Sequence, residues 1–566
     1  MSLQSARKYL SFPHLEPELR SELEPLVAAA GSGDARALAE LEDRFSEPLA
    51  FGTGGLRGFM AAGLRRMNRP NIRRVSIALA AVASRRAPGR KVAVVGFDTR
   101  LNSDTFGLAC AEVLAAAGYQ VFLGDRPLPT PFLCFAMKRL QAGCGAIVTA
   151  SHNPKEYNGF KAYNDLGGQV VDPWDAEIEA EMARQPLVPE PPKVPEGRIL
   201  PIPADVEEAY LAMGLDLLQH PRPFEAARIL FTPFHGTGGA FVPTLFERAG
   251  LPLTVSPSQG IQDGTFPTAP RPNPEELAAY QAPLEEAERM GAEVILANDP
   301  DADRIGVVAK RNGAWELMSG NDLAALTLDY LCARGNRKGV VVSTVVTSDF
   351  MAEVALSHRL PVMWTLTGFK NIAVCMDRLE ALGEPYAFGA EESYGMLLPP
   401  GLRDKDGVTA ALVVGEMAGH FKAKGQTLFQ AVEALMARVG TFHNRLVNLE
   451  DPRPGGAKRF AEAMERIRTA GLATLGGEKV VAWEDFQSGE WHGEGRTEPI
   501  LDRPDQRDRA LPIPRSNVLK FRMESGAFAA FRPSGTEPKL KVYLQSRTDM
   551  ALLDRLEAEA RSLLGL

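Results

Sequence analysis

KVAVVGFDTR (residues 91–100), YQVFLGD (119–125) and AIVTASHNP (146–154) are short runs rich in β-branched and apolar residues, each leading into a turn of Gly, Asp or Asn. An Ala/Leu-rich stretch from Ser103 to Gly118 separates the first two, so strand-like and helical patterns alternate as they do in βαβ units. The same rhythm returns downstream. RILFTPFHGTGG (228–239) precedes an apolar helical pattern and AEVILANDPDADR (292–304), and RIGVVAKRNGAWELM (304–318) reads as a hairpin around Asn312-Gly313. A third round runs GVVVSTVVTS (339–348), PVMWTLTGFK (361–370), a helix from Asn371 to Leu382, and YAFGAEESYG (386–395). Each unit sends a polar loop off a strand end.

The tail differs from these units. From about Leu446 a charged helix, Lys458 to Arg468, is followed by strands such as VLKFRME (518–524) and LKVYLQS (540–546), as in a separate α+β domain. The Pro-dense stretch Gln185 to Pro203 and the stretch Asp451 to Gly456 read as connections. The fold class expected is α/β, with three mixed α/β domains and a C-terminal α+β domain. The boundaries are placed at 1–212, 213–320, 321–445 and 446–566. At roughly 150 residues per domain, 566 residues give the same number.

Composition narrows the functional classes. Lys and Arg number 63 against 71 Asp and Glu, a net charge of −8, which excludes a generally basic nucleic-acid binder. Cys110, Cys134, Cys144, Cys332 and Cys375 are odd in number and in no C-x-x-C arrangement, which argues against a disulfide framework or a thiolate zinc site. No apolar run approaches the roughly 18 residues of a membrane span, and MSLQSARKYLSF carries no charged-then-apolar leader. The expectation is a soluble cytoplasmic protein with no membrane or nucleic-acid partner.

Four loops have the makings of a site. In Thr149-Ala150-Ser151-His152-Asn153-Pro154, Ser151 is a candidate nucleophile or phosphate carrier, with His152 and Lys161 near in sequence; a plain Ser/Asn turn stopped by Pro154 fits the same residues. G-x-S-x-G fails at Ser151 and at Ser393, so a Ser-His-Asp hydrolase is disfavoured. In Asn298-Asp299-Pro300-Asp301-Ala302-Asp303-Arg304, carboxylates at i, i+2 and i+4 after a strand can converge on one hard cation such as Mg²⁺. Without a cation or a base they would repel one another. An EF-hand is rejected, because Arg304 and Lys310 stand where its Gly and Glu are required.

Gly389-Ala390-Glu391-Glu392-Ser393-Tyr394-Gly395 offers short acceptors for sugar hydroxyls, or is a glycine-bounded turn. Arg532-Pro533-Ser534-Gly535-Thr536-Glu537-Pro538 combines a guanidinium, two hydroxyls and a Gly turn, a set suited to a phosphate dianion. Phe51 to Gly58 and His235 to Gly239 both fail the G-x-G-x-x-G spacing, and no G-x-x-x-x-G-K-[ST] occurs. Nicotinamide and P-loop nucleotide chemistry lose support.

These four loops, in this order, resemble those of the α-D-phosphohexomutases, the phosphoglucomutase/phosphomannomutase superfamily. TASHNP resembles the family's phosphoserine loop, DPDADR its metal loop, EESYG its sugar loop and RPSGTEPK its phosphate loop, over residues from about 51 to 543. FGTGGLRG (51–58) and the long N-terminal extension are most similar to the phosphoglucomutase-2-type branch, which includes bacterial phosphoglucomutases and phosphopentomutases. The resemblance implies four domains around a central cleft, the last related to the TATA-binding-protein fold. It implies a phosphorylated Ser151, and Mg²⁺ on Asp299, Asp301, Asp303 and a phosphoserine oxygen. It also implies sugar contacts from Glu391 and Ser393, and a non-reacting phosphate held by Arg532, Ser534, Gly535 and Thr536. Arg57, Lys161, Arg304 and Lys370 resemble basic residues lining the family's cleft. Ala390 departs from the Gly usual before EES in hexose-specific members, whereas Ser393 is retained.

The activity so implied is an intramolecular phosphotransferase, an isomerase interconverting α-D-glucose 1-phosphate and glucose 6-phosphate. Glucose 1,6-bisphosphate would serve as intermediate and activator. The 1- and 6-hydroxyls lie too far apart for direct transfer, so a relay through an enzyme phosphate is physically sensible. Lys161, Lys370, His152 and Arg57 remain candidates for proton transfer. Phosphomannomutase or phosphopentomutase action is the near alternative. A silent sugar-phosphate sensor is a distant one, having no need of both nucleophile and metal site.

Overall fold

The computed structural model describes residues 2–52, 54–220, 227–333, 335, 337–453, 455–500, 514–534 and 538–565. Three helices come first, Ser2–Leu10, Pro17–Gly31 and Ala35–Phe45. Asp34 caps the third by accepting from the backbone N–H of Arg36 and Ala37. Their apolar faces meet in a cluster of Ala6, Tyr9, Leu23, Val27, Leu41 and Phe45, which also covers Ala62 and Leu64.

The first sheet contains β1 (Gly55–Phe59), β2 (Val92–Phe97), β3 (Gln120–Leu123), β4 (Cys144–Val148), β5 (Tyr157–Tyr163) and β6 (Ile199–Pro201), in the order β1-β5-β4-β2-β3-β6. β4, β2, β3 and β6 run parallel, and β5 and β1 are added antiparallel. Every residue of β4 is buried, as expected of a continuous apolar strand in the middle of a sheet. The glycine-rich stretch at 51–58 is therefore not a loop throughout, since residues 55–59 form an edge strand. Gly55 permits the close pairing, because a Cβ there would lie 2.1 Å from the carbonyl oxygen of Phe160. The Pro-dense stretch 185–203 likewise contains a strand, β6, paired with β3.

The second sheet contains β7 (Ile229–Thr232), β8 (Thr254–Val255), β9 (Val294–Ala297), β10 (Gly306–Arg311) and β11 (Ala314–Leu317), in the order β11-β10-β9-β7-β8. β10 and β11 form the expected hairpin, with φ of 52° at Asn312 and 87° at Gly313. In the third domain β12 (Val340–Thr344) lies between β13 (Val362–Thr365) and β14 (Tyr386–Ala390), both parallel to it. A short strand, β15 (Met396–Leu397), and the helix Gly407–Ala423 follow.

The last sheet is antiparallel: β16 (His443–Glu450), β17 (Thr474–Leu475), β18 (Glu478–Asp485), β19 (Glu490–Gly493), β20 (Arg496–Pro499), β21 (Leu519–Met523), β22 (Phe528–Pro533) and β23 (Lys539–Ser546). Its order is β16-β23-β22-β21-β18-β19-β20, and β17 pairs with β18. Phe460, Met464 and Ile467 of helix Gly456–Ala470 and Leu552, Leu553 and Leu556 of helix Met550–Leu564 share a core with inward residues of β21 to β23. The architecture is the four-domain α/β one. By contacts the chain divides into two compact units, residues 1–318 with 395–427, and residues 319–394 with 428–566. Among the described residues no helix is long and apolar enough to cross a membrane.

Candidate active site

In the first unit the chain leaves β4 at Val148 and turns sharply. Ser151 is buried with φ of 52°, a left-handed conformation that a side chain rarely adopts. Its N–H donates to Thr149 Oγ1 at 2.9 Å. Its hydroxyl donates to Asp299 Oδ2 at 2.9 Å, and His152 Nδ1 lies 3.1 Å from the same Oγ. The turn thus aims the hydroxyl at the loop that leaves β9.

That second loop carries three buried carboxylates. Ala302, also left-handed at φ of 54°, bends the chain so that Asp299, Asp301 and Asp303 each bring an oxygen within 4.8 Å of the others. Lys161, on β5, donates to Asp301 Oδ2 at 2.7 Å and to Asp303 Oδ2 at 3.0 Å. Lys405 Nζ lies 3.0 Å from Asp303 Oδ2 and donates to Asp404 Oδ1 at 3.1 Å. Thr130 Oγ1 donates to Asp301 Oδ2 at 2.8 Å, and the N–H of Arg304 to Asp299 Oδ1 at 3.0 Å. The Arg304 guanidinium pairs with Glu275.

Burial together with the charges of Asp303 and Asp301 raises the Asp299 carboxyl well above its ordinary pKa. At Asp303 burial acts in the same direction, but Lys161, Lys405 and Arg304 outweigh it and hold the carboxyl below its ordinary range. Burial lowers the Lys161 pKa, yet Asp301, Asp303 and Asp404 overcome it, so the net shift is upward and the ammonium stays charged. His152 is pushed well below its ordinary value by burial and by Arg304 and Arg57, which keeps its imidazole neutral.

Asp301 Oδ1 and Asp303 Oδ1 are buried without a hydrogen-bond partner among the described residues. Unsatisfied buried carboxylate oxygens are costly. The three carboxylates, each with an oxygen within 4.8 Å of the others, offer the all-oxygen donors that a small hard cation requires, so the residues present fit Mg²⁺.

Arg57, on β1, donates from Nη1 to Asn153 Oδ1 at 3.2 Å, which brings that exposed guanidinium to the serine loop. The remaining anticipated residues belong to the second unit. Glu391 Oε1 accepts from the N–H of Gly368 at 2.6 Å, joining the loop after β14 to the loop that carries Lys370 in the first turn of helix Phe369–Ala381. Glu392 Oε2 accepts from Thr347 Oγ1 at 2.9 Å, and Ser393 follows, half-buried. Arg532, on β22, donates from Nη1 to Tyr543 at 3.4 Å, and the N–H of Ser534 donates to the carbonyl of Lys539 at 2.8 Å. Gly535 and Thr536 lie outside the described residues.

Lys405 was not anticipated from the sequence. The signal was present in Asp404-Lys405-Asp406, alternating charges directly before an apolar helix, but nothing in it says that the lysine reaches Asp303. Thr130 and Glu275, which bond Asp301 and Arg304, gave no signal at all.

A serine hydroxyl placed against a buried carboxylate triad, at strand ends, is the candidate site of an α/β protein. Comparison with known proteins gives the family. Four family descriptions match in sequence: phosphoglucomutase/phosphomannomutase alpha/beta/alpha domain I over residues 48–188, domain II over 212–313, domain III over 319–439 and the C-terminal domain over 447–563. The chain is 31% identical to a phosphoglucomutase of Staphylococcus epidermidis over 90% of this chain and 93% of that one. It is 33% identical to a Haemophilus influenzae protein described as a probable phosphomannomutase, over 82% and 90%. A phosphoglucomutase/phosphomannomutase family protein of Burkholderia thailandensis superposes with a TM-score of 0.67 at 19% identity, over 91% of this chain and 96% of that one. The chain belongs to the α-D-phosphohexomutase superfamily. It is a mutase, an isomerase of phosphohexoses.

Proposed function

We propose that this mutase interconverts α-D-glucose 1-phosphate and glucose 6-phosphate through a phosphorylated Ser151, with glucose 1,6-bisphosphate as intermediate and activator. The observation that carries the reading is the 2.9 Å hydrogen bond from the Ser151 hydroxyl to Asp299, within a triad that retains orphaned oxygens. Asp299, Asp301, Asp303 and a phosphoserine oxygen on Ser151 would hold Mg²⁺, which when bound supplies positive charge to the transferring phosphoryl group.

The phosphoryl group leaves Ser151 Oγ as a free sugar hydroxyl attacks phosphorus, and that hydroxyl's proton passes to a protein base. The bisphosphate reverses end for end, and Ser151 Oγ attacks its other phosphate, taking the group back while the sugar oxygen recovers a proton. His152 Nδ1 lies 3.1 Å from Oγ, within reach of the proton, but burial and the charges of Arg304 and Arg57 lower its pKa and so weaken it as a base. Lys161 is committed to two carboxylates, which suits charge stabilisation better than proton transfer. Arg57 and Lys370 remain the other candidates. Glu391 and Ser393 would bind sugar hydroxyls, and Arg532, Ser534, Gly535 and Thr536, with Arg304, would bind phosphate oxygens.

Intact-protein mass spectrometry before and after incubation with glucose 1,6-bisphosphate tests the relay. An added mass of about 80 Da, one phosphoryl group, is expected on Ser151 and absent from Ser151→Ala, which also loses nearly all turnover. Full turnover by Ser151→Ala would overturn it. The relative named phosphoglucomutase favours glucose, and the one described as a probable phosphomannomutase favours mannose. A panel of glucose, mannose and ribose 1-phosphates compared by kcat/KM decides the sugar, and a larger value for ribose would remove the hexose assignment.

A further inference from the structure

Arg100 follows β2 in the turn Asp98-Thr99-Arg100, and nothing in the sequence marks it as more than a loop residue. Its side chain and that of Asp98 are both wholly buried and form an ion pair at 3.2 Å. Its guanidinium is spread over the backbone of the serine loop. Nη2 donates to the carbonyls of Ser151 and Asn153, each at 2.5 Å, and Nη1 to those of Pro154 at 2.8 Å and Tyr157 at 3.2 Å. Four carbonyls within seven residues are therefore gathered on one planar cation.

The cation is itself held in place. Asp98 Oδ1 accepts from the N–H of Arg100 at 2.9 Å and from Ser103 Oγ at 2.7 Å. The Phe266 ring covers the guanidinium at 4.9 Å from its centroid, carried by a loop of the second α/β domain. That loop approaches so closely that a Cβ on Gly264 would lie 2.5 Å from the carbonyl oxygen of Thr99.

We propose that Arg100 is the positioning residue of the reactive serine, holding Ser151 in its left-handed conformation so that Oγ faces Asp299. The inference rests on the reading of Ser151 as the phosphoryl carrier. Left-handed backbone at a side-chain-bearing residue persists only where its surroundings over-determine it. The carbonyl of Ser151 is fixed by Arg100, and its N–H by Thr149. A guanidinium presents donors in a rigid fork, whereas an ammonium is a point charge with three donors and cannot span the same four acceptors. Phe266 and Gly264 make the second domain, which carries the triad, part of the support for the loop that carries the serine.

The test is the rate at which Ser151 gains the phosphoryl mass from glucose 1,6-bisphosphate in a single turnover, for the wild type, Arg100→Lys and Phe266→Leu. Mg²⁺ affinity by calorimetry of the unphosphorylated protein, which reads the three Asp without a phosphoserine oxygen, and the thermal midpoint are measured for the same variants. A displacement of about 1 Å costs on the order of 100-fold in rate. Arg100→Lys is expected to load Ser151 about 100-fold more slowly, and Phe266→Leu more slowly by a smaller factor, both with Mg²⁺ affinity unchanged. Loading of Arg100→Lys at the wild-type rate overturns the inference, as does slow loading accompanied by an equal loss of Mg²⁺ affinity, the mark of general structural damage. A wild type that never gains the mass overturns the phosphoserine reading itself, and this inference with it.

Discussion

Asp406 precedes helix Gly407–Ala423 and is fully buried. Its Oδ1 accepts from the N–H of Val408 and Thr409, each at 3.0 Å, and from the Tyr210 hydroxyl at 2.9 Å, while Oδ2 has no hydrogen-bond partner among the described residues. Burial outweighs these bonds and pushes the pKa up to about 6. A folded-state value above the unfolded one, near 3.9, means that the stability is complete below about 3.9 and is lost as pH rises through about 6. Over the whole range the loss is about 3 kcal/mol, and between pH 5 and 8 about 1 to 2 kcal/mol. Asp406→Asn keeps an accepting oxygen but cannot ionise. Urea unfolding should therefore show the variant gaining that much on the wild type between pH 5 and 8; a difference that does not vary with pH would contradict this. At this scale legibility follows distance along the chain. Asp299, Asp301 and Asp303 are visible as a group because they are five residues end to end, whereas Lys405 and Arg100 act on loops far from them in sequence.

The three N-terminal helices stand outside the stretches matched by the family and grip the turn that follows β1. Arg44 donates to the carbonyl of Ala62 at 3.2 Å, Glu22 accepts from the N–H of Ala62 at 3.0 Å, and Arg66 pairs with Asp43. Leu41, fully buried, is at the centre of their core. Leu41→Ala should cost about 2–5 kcal/mol by loss of buried area plus a cavity. Equilibrium unfolding would show it, with mutase activity at 25 °C retained because the bundle supplies no side chain to the described site. Among the elements, the Asn312-Gly313 hairpin was legible because both residues accept positive φ. β6 was not, because Pro201 and its Pro-rich flanks read as a connection, and only its place at the sheet edge lets a strand tolerate them.

In the second unit the third domain and the last share a core. Val345, Val346 and Leu366 join Phe486, Val518, Phe528 and Tyr543 in one apolar cluster. Lys520 donates to the carbonyl of Val345 at 2.8 Å with its ammonium 4.0 Å from the centre of the Phe528 ring, and Ser348 donates to Gln545 at 2.8 Å. Phe528→Ala should cost about 3–5 kcal/mol. Its effect should reach both domains: hydrogen exchange should accelerate in residues 340–347 as well as 518–545, and acceleration confined to the last domain would contradict the shared core. The four-domain plan was legible in the alternation of strands and helices. This partnership was not, since apolar residues at strand ends carry no record of which neighbour they will meet.

The chain passes from the first unit to the second after Met318, returns at Gly395 and leaves again after Thr427. Neither unit is therefore finished in one pass of synthesis. Asp303 emerges 102 residues ahead of Lys405, one of the two lysines that balance it. At 5–20 residues per second, the ribosome leaves the triad without that cation for about 5–20 s. During translation the acidic loop spends that interval with Lys161 as its only lysine counter-charge among the described residues.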